Sequence, residues 1–249
     1  MAEELPTKED ITLFMRHSER YDNPPDGDYS HLLLTPNGIK ESNKTGRSID
    51  RKIGIVKSSP VERCRQTLFE ILKFVKKDYL PKENFSSREG IPSSKRFSDL
   101  LGDPSPVEQG GVGWYEYYHY LQIHDVGSAR GVTLEMEAKK ILDAIFEETN
   151  EKHSETSEEK LYKKSSSSSA ARETSSSNSL SKKEGKLNLI CSHDGHVVIL
   201  ASALFNLKTQ LKWTKEWCQY AEGIFFYGNR SHFTAIWRNV KKEFINYLM

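Results

Sequence analysis

The chain has 249 residues, of which 36% are hydrophobic and 29% are charged, enough for one sizeable hydrophobic core. Its 36 basic and 35 acidic side chains give a formal net charge of +1, which excludes the extended basic surface of a nucleic-acid-binding protein. An acidic start, and no apolar run near the ~20 residues that span a bilayer, predict a cytoplasmic protein with no membrane partner.

The first predicted strand is the apolar run at 11–15, which is short and bounded by polar residues. Three basic side chains follow it closely, namely Arg16, His17 and Arg20. A helix is expected over 35–50, because it begins with a threonine that can cap it and a proline at its first position.

A second strand is predicted over 53–58 from its β-branched residues. A second helix is predicted after Pro60 from apolar residues at helical spacing, with Arg63 in its first turn. This alternation of strands and helices predicts a three-layer α/β/α domain around a mostly parallel central sheet.

The middle of the chain has a different composition. Residues 78–130 are rich in Gly, Pro, Ser and aromatic residues, and we expect them to form an inserted cap. A helical stripe resumes over 133–148, with Thr133 as its N-cap. Residues 151–185 hold 12 serines in 35 positions, too little apolar surface to offset the entropy of ordering, so a disordered Ser-rich loop is expected within the single domain 1–249.

Three further strands and one helix are predicted towards the C-terminus. In chain order these elements lie at 187–192, 194–206, 223–228 and 232–238. His193 and Asp194 close the first of these strands, as His17 closes the strand at 11–15. Ligands of parallel sheets bind outside the carboxyl ends of the strands, so we expect both histidines in one crevice.

These side chains suit metal-independent phosphoryl transfer, which needs a nucleophile, cationic donors for phosphate oxygens and an acid for the leaving group. His17 can attack as a neutral imidazole. Planar guanidinium groups that match phosphate oxygens come from Arg16, Arg20 and Arg63. His193 adds a further donor, and Asp194 beside it is a candidate proton donor.

The chain resembles the histidine phosphatase superfamily, and its histidine acid phosphatase branch more than its phosphoglycerate mutase branch. The motifs that carry the resemblance are, in chain order, Arg16-His17-x-x-Arg20, Leu34 to Gly38, Ser58 to Thr67, His193-Asp194 and Tyr220 to Tyr227. They cover both ends of the chain but neither the expected cap nor the Ser-rich loop.

The resemblance implies a phosphatase that uses no cofactor or metal. By this analogy His17 carries the phosphoryl group, Asp194 protonates the leaving oxygen, and the phosphate is held by Arg16, Arg20, Arg63 and His193. Two residues depart from the pattern of that branch. Ser18 replaces the glycine that follows the nucleophile, which places a side chain near the phosphate, and Asp22 replaces a proline.

Several alternatives stay open. Glu108 and Glu116 are rival acids, because the mutase branch takes its acid from this region. A phosphomutase would use the same phosphohistidine, and a non-catalytic module would use the same pocket to bind phosphorylated partners. His193 and His196 have a spacing compatible with metal binding, but no third ligand accompanies them. The expected substrate is a phosphorylated small molecule or a phosphoprotein.

Overall fold

The computed structural model describes residues 5–22, 31–82, 85–99, 133–163, 184–206 and 217–249. Its strands are β1 (Ile11–Arg16), β2 (Ile53–Ser58), β3 (Leu187–Ser192), β4 (Gly223–Asn229), β5 (His232–Trp237) and β6 (Val240–Ile245). They form one sheet in the order β2-β3-β1-β4-β5-β6.

The sheet has a parallel half and an antiparallel half. Strands β2, β3 and β1 run parallel to one another, whereas β4 runs antiparallel to β1 and begins a meander of β4, β5 and β6. The predicted α/β class is confirmed. The expectation of a mostly parallel sheet holds only for the half formed by β2, β3 and β1. Only a short turn separates β4 from β5 and β5 from β6, and parallel neighbours would need crossovers of about a dozen residues.

The sequence does not predict the edge strand β6. Its residues include Lys241, Lys242 and Glu243, so it lacks the apolar run by which the other strands are recognised. The turn before it consists of Arg238 and Asn239, both with positive φ of 48° and 64°, the backbone conformation of a tight hairpin turn.

Helices cover both faces of the sheet. They are α1 (Pro36–Ser48), α2 (Glu62–Leu72), α3 (Arg96–Asp99), α4 (Leu134–Lys163) and α5 (Asp194–Phe205). Helices α1 and α2 pack against each other, as do α4 and α5. Alternate side chains of β1 enter the two cores, Leu13 and Met15 on the α2 face and Phe14 on the α4–α5 face.

Helix α1 begins directly against the segment that follows β1. The Thr35 hydroxyl accepts a hydrogen bond from the Gly38 N–H (3.0 Å) and donates one to the Glu19 carboxylate (2.7 Å), which confirms the predicted N-cap. A Cβ atom at Gly38 would lie 2.1 Å from the Glu19 carbonyl oxygen. Glycine therefore allows the first turn of α1 to approach the residues next to His17.

Helix α4 begins as predicted, with the Thr133 hydroxyl accepting from the Met136 N–H, but it ends at Lys163 instead of 148. The first 13 positions of the predicted disordered loop at 151–185 are therefore helical. They are rich in Glu and Lys, which extend a helix readily once its first turns are packed. Residues 164–183 lie outside the described residues.

The predicted cap at 78–130 is described only in part. Ser93 pairs with Ser58 at the end of β2, and Phe97 packs on Phe14 with ring centroids 5.7 Å apart, so this segment joins the sheet and its core. Residues 100–132, with the rival acids Glu108 and Glu116, lie outside the described residues.

All three cysteines are free and buried, as predicted. In the part of the chain that the structure describes, no helix is both long enough and apolar enough to cross a membrane.

Candidate active site

The carboxyl ends of the three parallel strands bring together side chains that are far apart in sequence. His17 follows β1, His193 follows β3, and Arg63 lies in the first turn of α2 after β2. The rings of His17 and His193 lie edge to face, with centroids 5.6 Å apart. The two strand-end histidines therefore lie side by side, as the sequence predicts.

Hydrogen bonds fix the protonation of the His17 ring. Its Nδ1 lies 2.8 Å from the Ser18 carbonyl oxygen, and since a carbonyl oxygen only accepts, Nδ1 carries the proton. Nε2 is then the unprotonated nitrogen, and it accepts from the Arg63 Nε–H at 3.1 Å. The lone pair that a nucleophile needs is thus held beside a guanidinium group.

The surroundings of His17 keep its ring neutral. The side chain is only 2% exposed, and burial, then the nearby charges of His193 and Arg63, hold its pKa well below the ordinary value of 6.5. A neutral imidazole at neutral pH is the form that attacks an electrophile.

Arg63 connects the two histidines. Its Nη2 lies 3.3 Å from His193 Nδ1 while its Nε donates to His17. On the other side of the His193 ring, Nε2 lies 3.1 Å from the Ser59 hydroxyl. The guanidinium group therefore lies where it can bind an anionic oxygen beside His17 Nε2.

Arg16 and Asp194 form a second part of the site. Arg16 Nη2 lies 3.3 Å from Asp194 Oδ2, and Arg16 Nη1 donates to the Cys218 carbonyl oxygen at 2.6 Å. Asp194 is 9% exposed and also accepts from the Trp217 indole N–H at 3.0 Å. Its carboxylate is thus held by side chains from both halves of the sheet.

Arg20 lies near this cluster with a different partner. Its Nη1 donates to the Tyr21 carbonyl oxygen at 2.7 Å. The positive charge of Arg20 adds to burial in lowering the pKa of Arg63. The two guanidinium groups therefore interact electrostatically. Of the three predicted arginines, Arg16 and Arg63 hydrogen-bond or ion-pair with other site residues, and Arg20 contacts a backbone carbonyl.

Ser18 departs from the family pattern without placing its side chain on the phosphate. It is completely buried, its hydroxyl donates to the Gly38 carbonyl oxygen of α1 at 2.8 Å, and its N–H donates to the Thr67 hydroxyl at 3.0 Å. The Ser18 side chain therefore links the residues that follow β1 to helix α1. Asp22, the other departure, is exposed.

Sequence reasoning missed the contribution of the segment at 217–222. Trp217 contacts Asp194, the Cys218 carbonyl contacts Arg16, and the Tyr220 ring lies 4.0 Å from the Arg16 guanidinium carbon. The Tyr220 ring is also 6.1 Å from that of His17 and is 41% exposed. In the sequence, only the motif from Tyr220 to Tyr227 that resembles the superfamily indicated this segment.

The structure places His196 in the hydrophobic interior. It is completely buried on α5, and its Nδ1 lies 2.5 Å from the Ser192 hydroxyl. Among the residues that the structure describes, no group of three or more His, Cys, Asp or Glu side chains could hold a metal ion.

No protein-family model matches the sequence, and no curated protein matches it. Among solved structures, the chain is similar to phosphoglycerate mutase from Bacillus anthracis str. Sterne, with 13% sequence identity, a TM-score of 0.52 and coverage of 97% of this chain and 96% of that chain. It is also similar to phosphoserine phosphatase from Entamoeba histolytica, with 18% identity, a TM-score of 0.40 and coverage of 87% and 90%.

The first of these similarities shows that the chain has the phosphoglycerate mutase-like fold. The fold implied by the resemblance to the histidine phosphatase superfamily is therefore confirmed. Its assignment to the acid phosphatase branch stays a prediction, as do the roles of the individual residues.

Proposed function

We propose that the protein is a metal-independent phosphatase that hydrolyses phosphomonoesters through a phosphohistidine on His17. The observation that carries the proposal is the unprotonated Nε2 of a buried, neutral His17, which lies 3.1 Å from the Arg63 guanidinium group. A nucleophile and a donor for phosphoryl oxygens are thus already in contact.

In the first step, His17 Nε2 forms a bond to phosphorus while the bond from phosphorus to the ester oxygen breaks. Asp194, in its protonated form, gives its proton to that oxygen, and an alcohol leaves. Arg16, Arg63 and His193 bind the equatorial phosphoryl oxygens, with Arg20 at the edge of the cluster.

In the second step, water attacks the phosphohistidine. Asp194 takes a proton from the water as the oxygen–phosphorus bond forms, and the bond from phosphorus to Nε2 breaks. Inorganic phosphate and neutral His17 result, and Asp194 is again protonated. The proton balance closes over the cycle without a metal ion or cofactor.

The substrate in this proposal is a phosphomonoester on a small molecule or on a protein. The half-exposed Tyr220 ring, 6.1 Å from the His17 ring, gives the mouth of the site an aromatic wall against which a leaving group can pack. A phosphate-release screen over sugar phosphates, nucleotides, phosphoamino acids and phosphopeptides identifies the class.

The test of the proposal compares two histidine variants on any substrate that the screen identifies. His17→Ala is expected to lower phosphate release by at least about a thousandfold. His232→Ala, at an exposed position on the β4–β5 hairpin, is the matched control and should leave the rate within about twofold. Full activity of His17→Ala contradicts the mechanism.

Product analysis separates the hydrolase from a phosphomutase. A hydrolase releases one inorganic phosphate for each ester consumed, whereas a mutase returns the phosphoryl group to an isomer of the substrate. Phosphate binding with no turnover on the whole panel would instead support a non-catalytic binding module.

A further inference from the structure

The segment 217–222, which we call the support loop, contacts both Arg16 and His17. The Cys218 carbonyl oxygen accepts from Arg16 Nη1, and the Glu222 carbonyl oxygen accepts from the Arg16 backbone N–H at 2.9 Å. The Ala221 N–H donates to the His17 carbonyl oxygen at 3.3 Å. A shift of this loop would therefore move both Arg16 and the nucleophile.

The support loop also holds the candidate acid. The Trp217 indole N–H donates to Asp194 Oδ2 at 3.0 Å, while Asp194 Oδ1 accepts from the Gly195 N–H at 3.1 Å. Donors on both oxygens, with Arg16 also at Oδ2, restrain rotation of the carboxyl group. The orientation of the group that meets the leaving oxygen thus depends on where Trp217 lies.

The loop has a backbone conformation that needs external support. Ala221 has a φ of 58°, in the left-handed region that is unfavourable for a residue with a side chain. Within the loop, the Glu222 carboxylate accepts from the Gln219 N–H at 2.6 Å. Fixing Glu222 therefore also fixes the turn that contains Ala221.

Arg238 supplies that support from the turn between β5 and β6. Its Nε donates to Glu222 Oε1 at 2.5 Å, and its Nη2 donates to Glu222 Oε2 at 3.0 Å. The same Nη2 donates to the Trp217 carbonyl oxygen at 2.8 Å, and the guanidinium carbon lies 4.3 Å from the Trp237 ring centre. One guanidinium group thus bonds to both ends of the support loop.

We infer that Arg238 is a positioning residue for the proposed phosphatase reaction, acting through Trp217 on the acid Asp194. The inference rests on the proposed function. Arg238 is a positioning residue rather than a catalytic one, because it contacts the support loop and Trp237 and acts on the acid through Trp217. Its effect should be largest where proton donation limits the rate, since small displacements of a positioned group cost large factors.

The chain offers a matched control in Arg230, at the turn between β4 and β5. Arg230 also pairs with one carboxylate, that of Asp143 at 2.6 Å, and donates to two carbonyl oxygens, those of Tyr247 and Leu248. Its partners belong to α4 and to the last residues of the chain. Loss of Arg230 therefore removes a similar set of bonds without touching the support loop.

The experiment measures kcat on an alkyl phosphate, which needs a proton on its leaving oxygen, and on an activated aryl phosphate, which does not. Arg238→Met is expected to lower the alkyl-to-aryl rate ratio about tenfold, whereas Arg230→Met leaves the ratio within about twofold. A purely structural role for Arg238 would lower both rates together and leave the ratio unchanged, which overturns the inference. If Arg238→Met does not fold, Glu222→Gln weakens the same contact and gives the same readout.

Trp217→Phe tests the link to Asp194, because it keeps an aromatic ring and removes the N–H. We expect Trp217→Phe alone to lower the alkyl-to-aryl rate ratio about tenfold. The ratio of the double variant with Arg238→Met should then lie within about twofold of that of Trp217→Phe. Additive losses would show that Arg238 does not act through Trp217 and would overturn the inference while the proposed function stands. A wild-type protein that releases no phosphate from either substrate, or a fully active His17→Ala, overturns both proposals.

Discussion

The two halves of the sheet contribute different residues and contacts to the candidate site. The parallel half, β2-β3-β1, places His17, Arg63 and His193 at one edge through the carboxyl ends of its strands. The antiparallel half, β4-β5-β6, contributes no group that we assign to phosphate chemistry, yet the support loop before β4 contacts Arg16, His17 and Asp194. The difference teaches that, in the proposed mechanism, the parallel half supplies the reacting groups while the antiparallel half helps to hold them in place.

The largest expected effect comes from the parallel half. Arg63→Met should lower kcat/KM by about 10²–10³-fold, because it removes the donor that contacts both site histidines. Steady-state kinetics with the preferred substrate give the value. The control is Arg65→Met on the same helix, where Arg65 pairs with Glu62 at 2.7 Å instead. Equal losses of kcat/KM in the two variants would contradict the role that we assign to Arg63.

Asp194→Asn tests the residue at which the two halves meet. Its rate on alkyl phosphates should fall about 100-fold, and its rate on activated aryl phosphates by less than about tenfold, because only the former need a proton donor. Asp143→Asn, which breaks the similar ion pair with Arg230, serves as control. Equal loss on both substrate types would point to Glu108 or Glu116 as the acid.

A smaller effect is expected in the pH dependence of stability. Burial, first among the causes, holds the pKa of His17 and of His196 well below 6.5. Between that lowered pKa and 6.5 the unfolded chain binds more protons than the folded one, so the free energy of unfolding falls as the pH falls through this window. Both histidines contribute to this slope with the same sign.

Denaturant unfolding between pH 8 and about pH 4 measures this dependence. His17→Gln should flatten the curve below pH 6.5 relative to the wild type. A wild-type stability that rises on acidification through this range would contradict the burial of a neutral His17.

The smallest expected effect distinguishes a structural role of Ser18, in the parallel half, from a catalytic one. Ser18→Gly restores the residue of the family pattern and removes the bond from the Ser18 hydroxyl to the Gly38 carbonyl, which should cost about 1 kcal/mol of stability. The catalytic rate should stay within about twofold, as measured by kinetics below the unfolding transition. A tenfold or larger change in kcat would show that the Ser18 side chain reaches the reacting groups.

The sequence predicts the parallel half well, because its signals are local. Apolar runs predict β1 and β3, a threonine followed by proline predicts α1, and the side chains that follow each strand meet at one edge because parallel strands end together. The length of α4 beyond 148 was not predicted, since its later turns are polar and depend on the packed turns before them.

The antiparallel half shows what local signals leave out. Strand β6 carries charged residues at an edge, so its apolar pattern is weak. Trp217 and Arg238 lie in irregular segments, and their contacts with Asp194 and Glu222 join residues 23 and 16 positions apart. Such contacts depend on the three-dimensional arrangement of loops and carry no spacing pattern in the sequence.

The most direct test of the account is phosphoryl labelling of His17. Brief incubation with a substrate labelled in its phosphoryl group, followed by alkaline quenching, should give one acid-labile, base-stable phosphoryl group per chain, located on the peptide that contains His17. The label should be absent in His17→Ala and retained in His232→Ala. Turnover with no acid-labile label, or a label that persists in His17→Ala, would contradict the phosphohistidine mechanism.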